Sequence, residues 1–409
     1  MIVTNVSSPS HGSLKHTTIV IIPLTFLIII CAFQVFYIFN ILVSCVPHKE
    51  LSKEKDFSKK NLSIVIPLFN SEKTIGSCLN SILKNDLSLI DKVVVVLDHC
   101  IDASNNRVLE LMGNFRESGI ELVALTLPEG LSGKISAIKQ GIKIIRTKNV
   151  LLLDADIILE PDAVEKLFSF HTREENLCSS CLIYPLRMDN RTSLTQGIIH
   201  QDRLYRQNIL KLVKNRYGLA NFPGSIGIVN IENYRKFFKE GFLEDLSASF
   251  NIIGEGNKIS ILPKVLAYEM ERESIQGVFL QRTRWSIGNI ENTPLLFKTV
   301  FATEGLAKKF IVASYPIMWY WQHYAIVVGA GLSIFFGQWQ GVLPLLLYFI
   351  QIIISSWLGH KKYLFNFFEI LAHCIIFPFI ITTALFSAIW LVIINRKFYF
   401  KNNILFNRI

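Results

Sequence analysis

Residues Lys92–Leu97 read KVVVVL, and Asp98 follows at once. Four successive β-branched residues with no polar alternation suit a strand buried on both faces, as in a parallel sheet. Working outward, Asn61–Pro67 (NLSIVIP) is a second short β-branched run, and Ser71–Leu83 between them has helical spacing at Ile75, Cys78, Leu79 and Ile82. After the valine run the pattern predicts a helix over Asn105–Glu117, a strand over Glu121–Leu127, a helix over Lys134–Thr147 and a strand over Val150–Asp154. Strands alternating with helices of this length predict βαβ units, an α/β fold with a doubly wound sheet. Ligands of such sheets bind beyond the carboxyl ends of the strands. No internal repeat or low-complexity tract interrupts the pattern.

The rest of the 409 residues has a different character. Hydrophobic residues make up 51% of the chain and charged residues only 18%, and the mean hydropathy is +0.38. The charge deficit sits in long apolar runs near the two ends, which makes this a membrane protein with one large water-soluble domain. Ile19–Val46 carries no charge and exceeds the roughly 20 residues that cross a bilayer. It is also too long, and too bulky at Phe36, Tyr37 and Phe39, for a cleaved signal peptide. Three further spans are read at Phe310–Phe336, Val342–Leu358 and Phe367–Asn395. Lys49, Lys53, Lys55, Lys59 and Lys60 follow the first run whereas only Lys15 precedes it, which places the soluble domain in the cytoplasm. Three C-terminal spans then leave the basic tail from Arg396 outside, so either one of them is re-entrant or interfacial or the tail departs from the rule.

The net charge of +10 has its explanation at these membrane borders, where Lys308, Lys309, Lys361, Lys362, Arg396 and Lys397 also lie. Nucleic acid is therefore not expected as a partner. Seven scattered cysteines make no disulfide framework, and Cys178 and Cys181, a lone CxxC, read as small residues of a buried strand.

Carboxylates stand where the sheet rule puts ligands. Asp98 ends the valine strand and Asp102 follows it; Asp154 and Asp156 end the LLLDAD strand. Two carboxylates two positions apart at a strand end can hold a divalent ion against a diphosphate, and burying them without a cation is costly through like-charge repulsion. The bland alternative is a solvated turn. Phe242–Asp245 (FLED) opens a helical stretch, where an acid pair also complements the helix dipole. In Gln281–Trp285 (QRTRW), Arg282 and Arg284 can clamp phosphates and Trp285 can stack on a sugar, or the stretch is an interfacial aromatic and cationic belt.

Six motifs in this order carry a resemblance. IVIPLFN with Thr74 and Ile75, LDHCIDAS, SGKISAIKQG, DAD, ED and QRTRW resemble the motif series of the GT-A family 2 glycosyltransferases, over Ser63–Asn289. The branch is the membrane-bound one of cellulose, chitin, hyaluronan and poly-N-acetylglucosamine synthases, marked by a Q(Q/R)xRW box after an ED pair. The resemblance implies that Asp98 binds the uracil of a UDP-sugar and that Lys134 lies near the nucleotide. It implies that Asp154 handles the diphosphate, that Asp156 ligates Mg²⁺ or Mn²⁺, and that Asp245 is the general base. Gln281, Arg284 and Trp285 would hold diphosphate and acceptor at the membrane-side mouth. The implied reaction is a single, inverting displacement at the anomeric carbon. Leu97, His99 and Cys100 depart from the family's DDGS, Ser71 stands where its Glu is usual, and Leu243 replaces the common Thr before ED.

The expected organisation is an N-terminal transmembrane anchor over 1–48, a cytoplasmic GT-A domain over 49–300 with an interfacial helix at the QRTRW box, and a C-terminal bundle of about three spans over 301–409. The expected acceptor is a growing polysaccharide, as in an exopolysaccharide or capsule synthase, with a membrane lipid that takes one sugar as the alternative. Four spans are few for a self-contained polymer channel, so a homo-oligomer or an accessory export subunit is among the expected partners, with membrane lipids around the bundle. A non-catalytic scaffold would have lost Asp245 or the DAD carboxylates, and all are present.

Overall fold

The computed structural model describes residues 11–44, 60–173, 176–186, 193–241, 243–359 and 366–394. Lys49, Lys53, Lys55 and Lys59, on which the expected orientation depends, fall outside them, as do Phe242, Lys361, Lys362 and the tail from Arg396.

Helix α1 spans His11–Ser44, and the sheet begins with β1 (Leu62–Leu68). Helix α2 (Ile75–Ile82) leads to β2 (Ile90–Leu97), then α3 (Ser104–Glu117) to β3 (Glu121–Thr126), then α4 (Lys134–Lys143) to β4 (Asn149–Leu153). These are the elements expected from the sequence, in order. Two helices are shorter than expected: α2 starts four residues later, because Ser71–Thr74 form a turn in which the Ser71 carbonyl accepts from Thr74 and Ile75, and α4 ends at Lys143. Strands β3, β2, β1 and β4 lie side by side and parallel, with Val65 opposite Val94.

The valine run shows why the strand is buried twice. Val93 and Val95 point into the core shared with Ile75, Leu79, Val108 and Phe115, while Val94 and Val96 point into the opposite core with Ile135, Ile138 and Ile142. All four are fully buried. Each such side chain contributes about 1.5–3 kcal/mol over an exposed one, and period-2 alternation sends successive residues to opposite faces.

Beyond β4 the sheet turns mixed. A short β5 (Ile157–Leu159) and helix α5 (Ala163–Arg173) precede β6 (Cys178–Pro185), which contains Cys178 and Cys181 as the buried strand residues they were expected to be. Helices α6 (Leu194–Tyr205) and α7 (Leu212–Arg216) are joined without a break by a π-helical turn, Arg206–Lys211. Strand β7 (Ile226–Asn230) pairs antiparallel with β4 and is followed by α8 (Ile231–Phe237), α9 (Glu244–Gly254) and β8 (Ile259–Glu269). The full order is β3-β2-β1-β4-β7-β6-β8-β5.

Helices α10 (Ile275–Glu291) and α11 (Thr293–Ala302) then lead to α12 (Leu306–Pro316) and α13 (Gln322–Phe336), with α14 (Leu343–Gly359) and α15 (Phe367–Ile394) at the end. Among the described residues three helices are long and apolar enough to cross a membrane: Leu24–Val43, Trp339–Gly359 and Phe367–Ile393. The expected Phe310–Phe336 span is helical but not uniform: a second π-helical turn, Ile317–Trp321, follows Pro316. Proline has no N–H to give the ladder and crowds the preceding turn, which is where helices deform. The apolar helices pack on the sheet domain through α6, α7 and the first π turn: Phe33, Tyr37 and Ile41 share a core with Tyr205, Ile209 and Val213.

Candidate active site

A cavity of about 500 Å³ lies between the carboxyl ends of the central strands and the helices that lead to the apolar bundle. Lys134, Asp154, Asp156, Asp245, Gln281, Arg284 and Trp285 all line it. Asp98 does not line it. Its buried carboxylate accepts from the Gly133 N–H at 2.8 Å, and so sits behind the loop that opens α4. Gly133 has φ +90°, a conformation that glycine adopts without strain. The other Asp98 oxygen is buried without a partner.

Lys134 is the hub. It stands at the first position of α4, directly after that glycine, and its Nζ lies 2.6 and 2.8 Å from the two Asp154 oxygens and 2.8 Å from the Gly224 carbonyl. Burial works against the ammonium, but Asp154, Glu244 and Asp245 outweigh it and hold the pKa above its ordinary value. The same loop residue serves the second carboxylate: Gly224 N–H donates to Asp245 Oδ2 at 2.9 Å, and Leu246 N–H to Oδ1 at 2.8 Å. A Cβ on Gly224 would stand 3.1 Å from Asp245 Oδ2 and 3.2 Å from Lys134 Nζ, so only glycine leaves both groups where they are.

Asp245 lies in the first turn of α9, where an acid also complements the helix dipole. Its Oδ2 nevertheless reaches outside the helix to the loop at Gly224. Burial raises the Asp245 pKa, against the opposing pull of Lys134 and of the two backbone N–H donors. Glu244 beside it is pushed up to about 7 by burial and by the Asp245 charge.

Asp156 differs from Asp154. Among the described residues no cation pairs with it, its Oδ1 is buried without a partner, and burial, Glu269 and Asp154 push its pKa up to about 8. Glu269 Oε2 is also buried and unpartnered. Among the described residues no three His, Cys, Asp or Glu side chains gather as a complete metal site. The unsatisfied oxygens of Asp156 and Glu269 fit a hard divalent cation that takes its remaining ligands from diphosphate and water.

Helix α10 presents Gln281, Arg284, Trp285 and Asn289 to the cavity. Their helical spacing puts them on one face. Arg282 is not among the residues that line the cavity: it is 1% exposed, pairs with Asp202, and lies 4.0 Å from the Trp285 ring centroid. The expectation that Arg282 clamps phosphates is thereby corrected, since its guanidinium is buried against Asp202 behind Trp285. Arg284 does face the cavity, with its Nε unpartnered. Trp285 is held edge-on to Trp319, with the Arg206 guanidinium 5.3 Å from its centroid.

The family match spans this site. Residues 60–288 fit the model of the glycosyltransferase-like family 2. The chain belongs to that family. It is 23% identical over 263 residues to the poly-beta-1,6-N-acetyl-D-glucosamine synthase of Staphylococcus aureus (strain COL), an alignment covering 62% of this chain and 60% of the relative. It is 22% identical over 249 residues to the synthase of the same name from Staphylococcus epidermidis (strain RP62A), covering 59% of this chain and 57% of that relative. The match thus spans about three fifths of the length of these curated relatives. Among solved structures, the mannosyltransferase PcManGT from Pyrobaculum calidifontis, in complex with GDP-Man and Mn²⁺, superposes over 89% of this chain and 99% of its own, with a TM-score of 0.55 at 15% identity. That likeness shows that this family 2 glycosyltransferase has the GT-A fold.

One wall of the cavity went unread in the sequence. Arg203, Arg206, Lys211 and Lys214 come from the continuous helix of α6, the π turn and α7, and Tyr315 and Trp319 come from α12 and the second π turn. The only sign of the first group is four cations spaced at three, five and three residues. The spacing of five breaks a plain helical face, so the run does not register as one surface.

Proposed function

We propose that this family 2 enzyme transfers a sugar from a UDP-sugar to an acceptor hydroxyl at the membrane-side mouth of the cavity, in one inverting step. The observation that carries the reading is a single cavity that gathers Lys134 with Asp154, the unsatisfied Asp156, and Asp245 held by two backbone N–H groups. In this reading the diphosphate lies along Lys134, Asp156 and Arg284, and the uracil end lies toward Asp98. The acceptor oxygen attacks the anomeric carbon, the bond from that carbon to the diphosphate oxygen breaks, and UDP leaves with the electron pair. Asp245 takes the acceptor proton. Its raised pKa suits this role, because a base works best when its pKa approaches the operating pH. Mg²⁺ or Mn²⁺ held by Asp156 would neutralise charge developing on the leaving group.

The poly-N-acetylglucosamine synthases among the relatives support a growing polysaccharide as acceptor. The alternative, one sugar placed on a membrane lipid, is supported by the cationic wall of the cavity and by the small number of apolar helices. Among the described residues three of these are long and apolar enough to span, which supports a multi-pass protein of the cell membrane, and the lysines that follow the first run support a catalytic domain facing the cytoplasm. One test decides between the two acceptors. Purified protein in nanodiscs is incubated with a panel of UDP-sugars and Mg²⁺ or Mn²⁺, UDP release is followed and the product is sized. Release with one sugar and a polymeric product supports the proposal; no release with any UDP-sugar removes it.

A further inference from the structure

The buried charges behind the QRTRW helix are shared out unevenly. Arg203 faces two carboxylates, Glu269 and Glu271, whereas Asp202 faces two guanidiniums, those of Arg206 and Arg282. Both cations reach the same atom, Asp202 Oδ2. Arg206 Nε donates to it at 2.8 Å from one turn further along the helical run, and Arg282 Nη2 donates to it from α10, eighty residues away in the chain. All three side chains are buried. The six charges balance, but the hydrogen bonds do not: among the described residues Arg206 Nη2 and Arg282 Nε and Nη1 are buried without an acceptor. A buried guanidinium left short of acceptors is costly. What both guanidiniums meet instead is an aromatic ring. The Arg282 guanidinium carbon lies 4.0 Å from the Trp285 centroid and that of Arg206 5.3 Å, with Arg206 also 5.6 Å from the Trp319 centroid. The face of an indole attracts a cation, and more strongly when both are out of water.

We propose that Asp202 and Arg282 are positioning residues for Trp285: the carboxylate anchors the guanidinium, and the guanidinium fixes the plane of the indole in the cavity. This rests on the reading of the cavity as a sugar-transfer site in which Trp285 meets the acceptor. Trp285 lines the cavity and neither Asp202 nor Arg282 does, so each acts only through the ring. The ring needs such partners. Helix α10 fixes where the side chain starts, but the outer torsion of a tryptophan is broad and the backbone does not set it. Trp319, which meets Trp285 edge-on with centroids 5.9 Å apart, limits the swing, and the guanidinium held by Asp202 selects one plane within it. The clamp thereby ties α10, which carries the motif, to α6, whose sequence gives no sign of it.

The test uses the full chain in nanodiscs, labelled with fluorotryptophan, and first reads the ring without any substrate. The Trp285 fluorine line is assigned by its loss in Trp285→Phe. Arg282→Lys keeps the charge balance but cannot lie flat over the ring, Arg282→Gln removes the cation, and Asp202→Asn loosens its anchor. All three are expected to shift and broaden the Trp285 line, Arg282→Lys least, while the lines of Trp339 and Trp357 stay in place. The second readout uses the UDP-sugar that the nanodisc panel selects. In Arg282→Gln the share of transferred sugar that ends in product rather than as free sugar should fall by on the order of tenfold, the scale of one desolvated cation–π contact, with UDP affinity unchanged. In a Trp285→Leu background, with no ring to hold, the same substitution should lower that share no further. A Trp285 line unmoved by Arg282→Gln or Asp202→Asn, or full additivity with Trp285→Leu, would overturn the clamp. Equal loss of UDP affinity and product would overturn it too, by making Arg282 a brace of the fold. A parent protein that releases UDP from no UDP-sugar would instead overturn the transfer reading, and the fluorine line, which needs no substrate, tells the two failures apart.

Discussion

Replacing Asp245 by asparagine separates a base from a structural acid. The carboxylate accepts two backbone N–H groups, from Gly224 at 2.9 Å and from Leu246 at 2.8 Å. An amide has one acceptor oxygen, so one of these N–H groups meets an NH₂ instead. Leaving a buried donor unmade costs about 1–3 kcal/mol, and Lys134 loses part of the negative field that keeps it charged. A modest fall in melting temperature is therefore expected whatever the residue does in catalysis. The catalytic loss is separate and larger. Removing a general base typically lowers the rate by about 10²–10⁴-fold, which is roughly 3–5 kcal/mol of barrier. Turnover of UDP-sugar should fall by that order, while UDP affinity, measured by calorimetry on the same preparation, stays near the parent value. Wild-type turnover in Asp245→Asn would refute the base and leave the carboxylate as a brace for the Gly224 loop. Parallel loss of UDP affinity and turnover would put Asp245 among the donor's ligands, and Glu244 would become the residue to substitute next.

Three more outcomes are expected. Gly224→Ala sets a methyl against both Lys134 and Asp245, so turnover should fall at least as far as UDP affinity with little loss of fold; unchanged kinetics would show that these groups need not stay in place. Burial and the Asp245 charge raise Glu244 from 4.5 to about 7, so the fold favours its protonated form: that contribution is complete below about pH 4.5 and is lost as pH rises to about 7. The melting temperature of Glu244→Gln should accordingly decline less than the parent's across this window, and identical slopes would remove Glu244 as the source. Asp156→Ala should weaken UDP binding in Mg²⁺ or Mn²⁺ but not in chelator; equal weakening in both would detach Asp156 from the metal.

The parallel half of the sheet was open to reading because its inner strands β1, β2 and β4 are buried on both faces. KVVVVL and LLLDAD need no partner to be recognised, and the carboxylates at their ends follow from the strand ends themselves. Of the mixed half only the buried strand at Cys178 and Cys181 was legible. Strand β7 is five residues long and pairs antiparallel with β4, a partnership that no local spacing encodes. Site residues carried by short, ordered motifs, such as Asp154, Asp156 and Gln281, converge on the cavity as the motifs suggest. Gly224 eluded the reading because its importance lies in two side chains that approach it from α4 and α9. Arg282 misled it because it looks like Arg284 in sequence, while its partner Asp202 stands eighty residues away in the chain.

Two turns of the structure are wound wider than their neighbours, Arg206–Lys211 and Ile317–Trp321, and they stand on walls of the same cavity. A wide turn of this kind holds one residue more than the ladder around it needs, and such turns gather at functional sites. Loss of a single residue between 206 and 211 would close the ladder, because the wide turn takes up its surplus locally and leaves the helices on either side in register. Arg203 and Lys214 would then keep their faces, and the change would fall on the side chains of the turn itself. In this scaffold a change of length by one recuts a single patch of the cavity wall and leaves the rest standing.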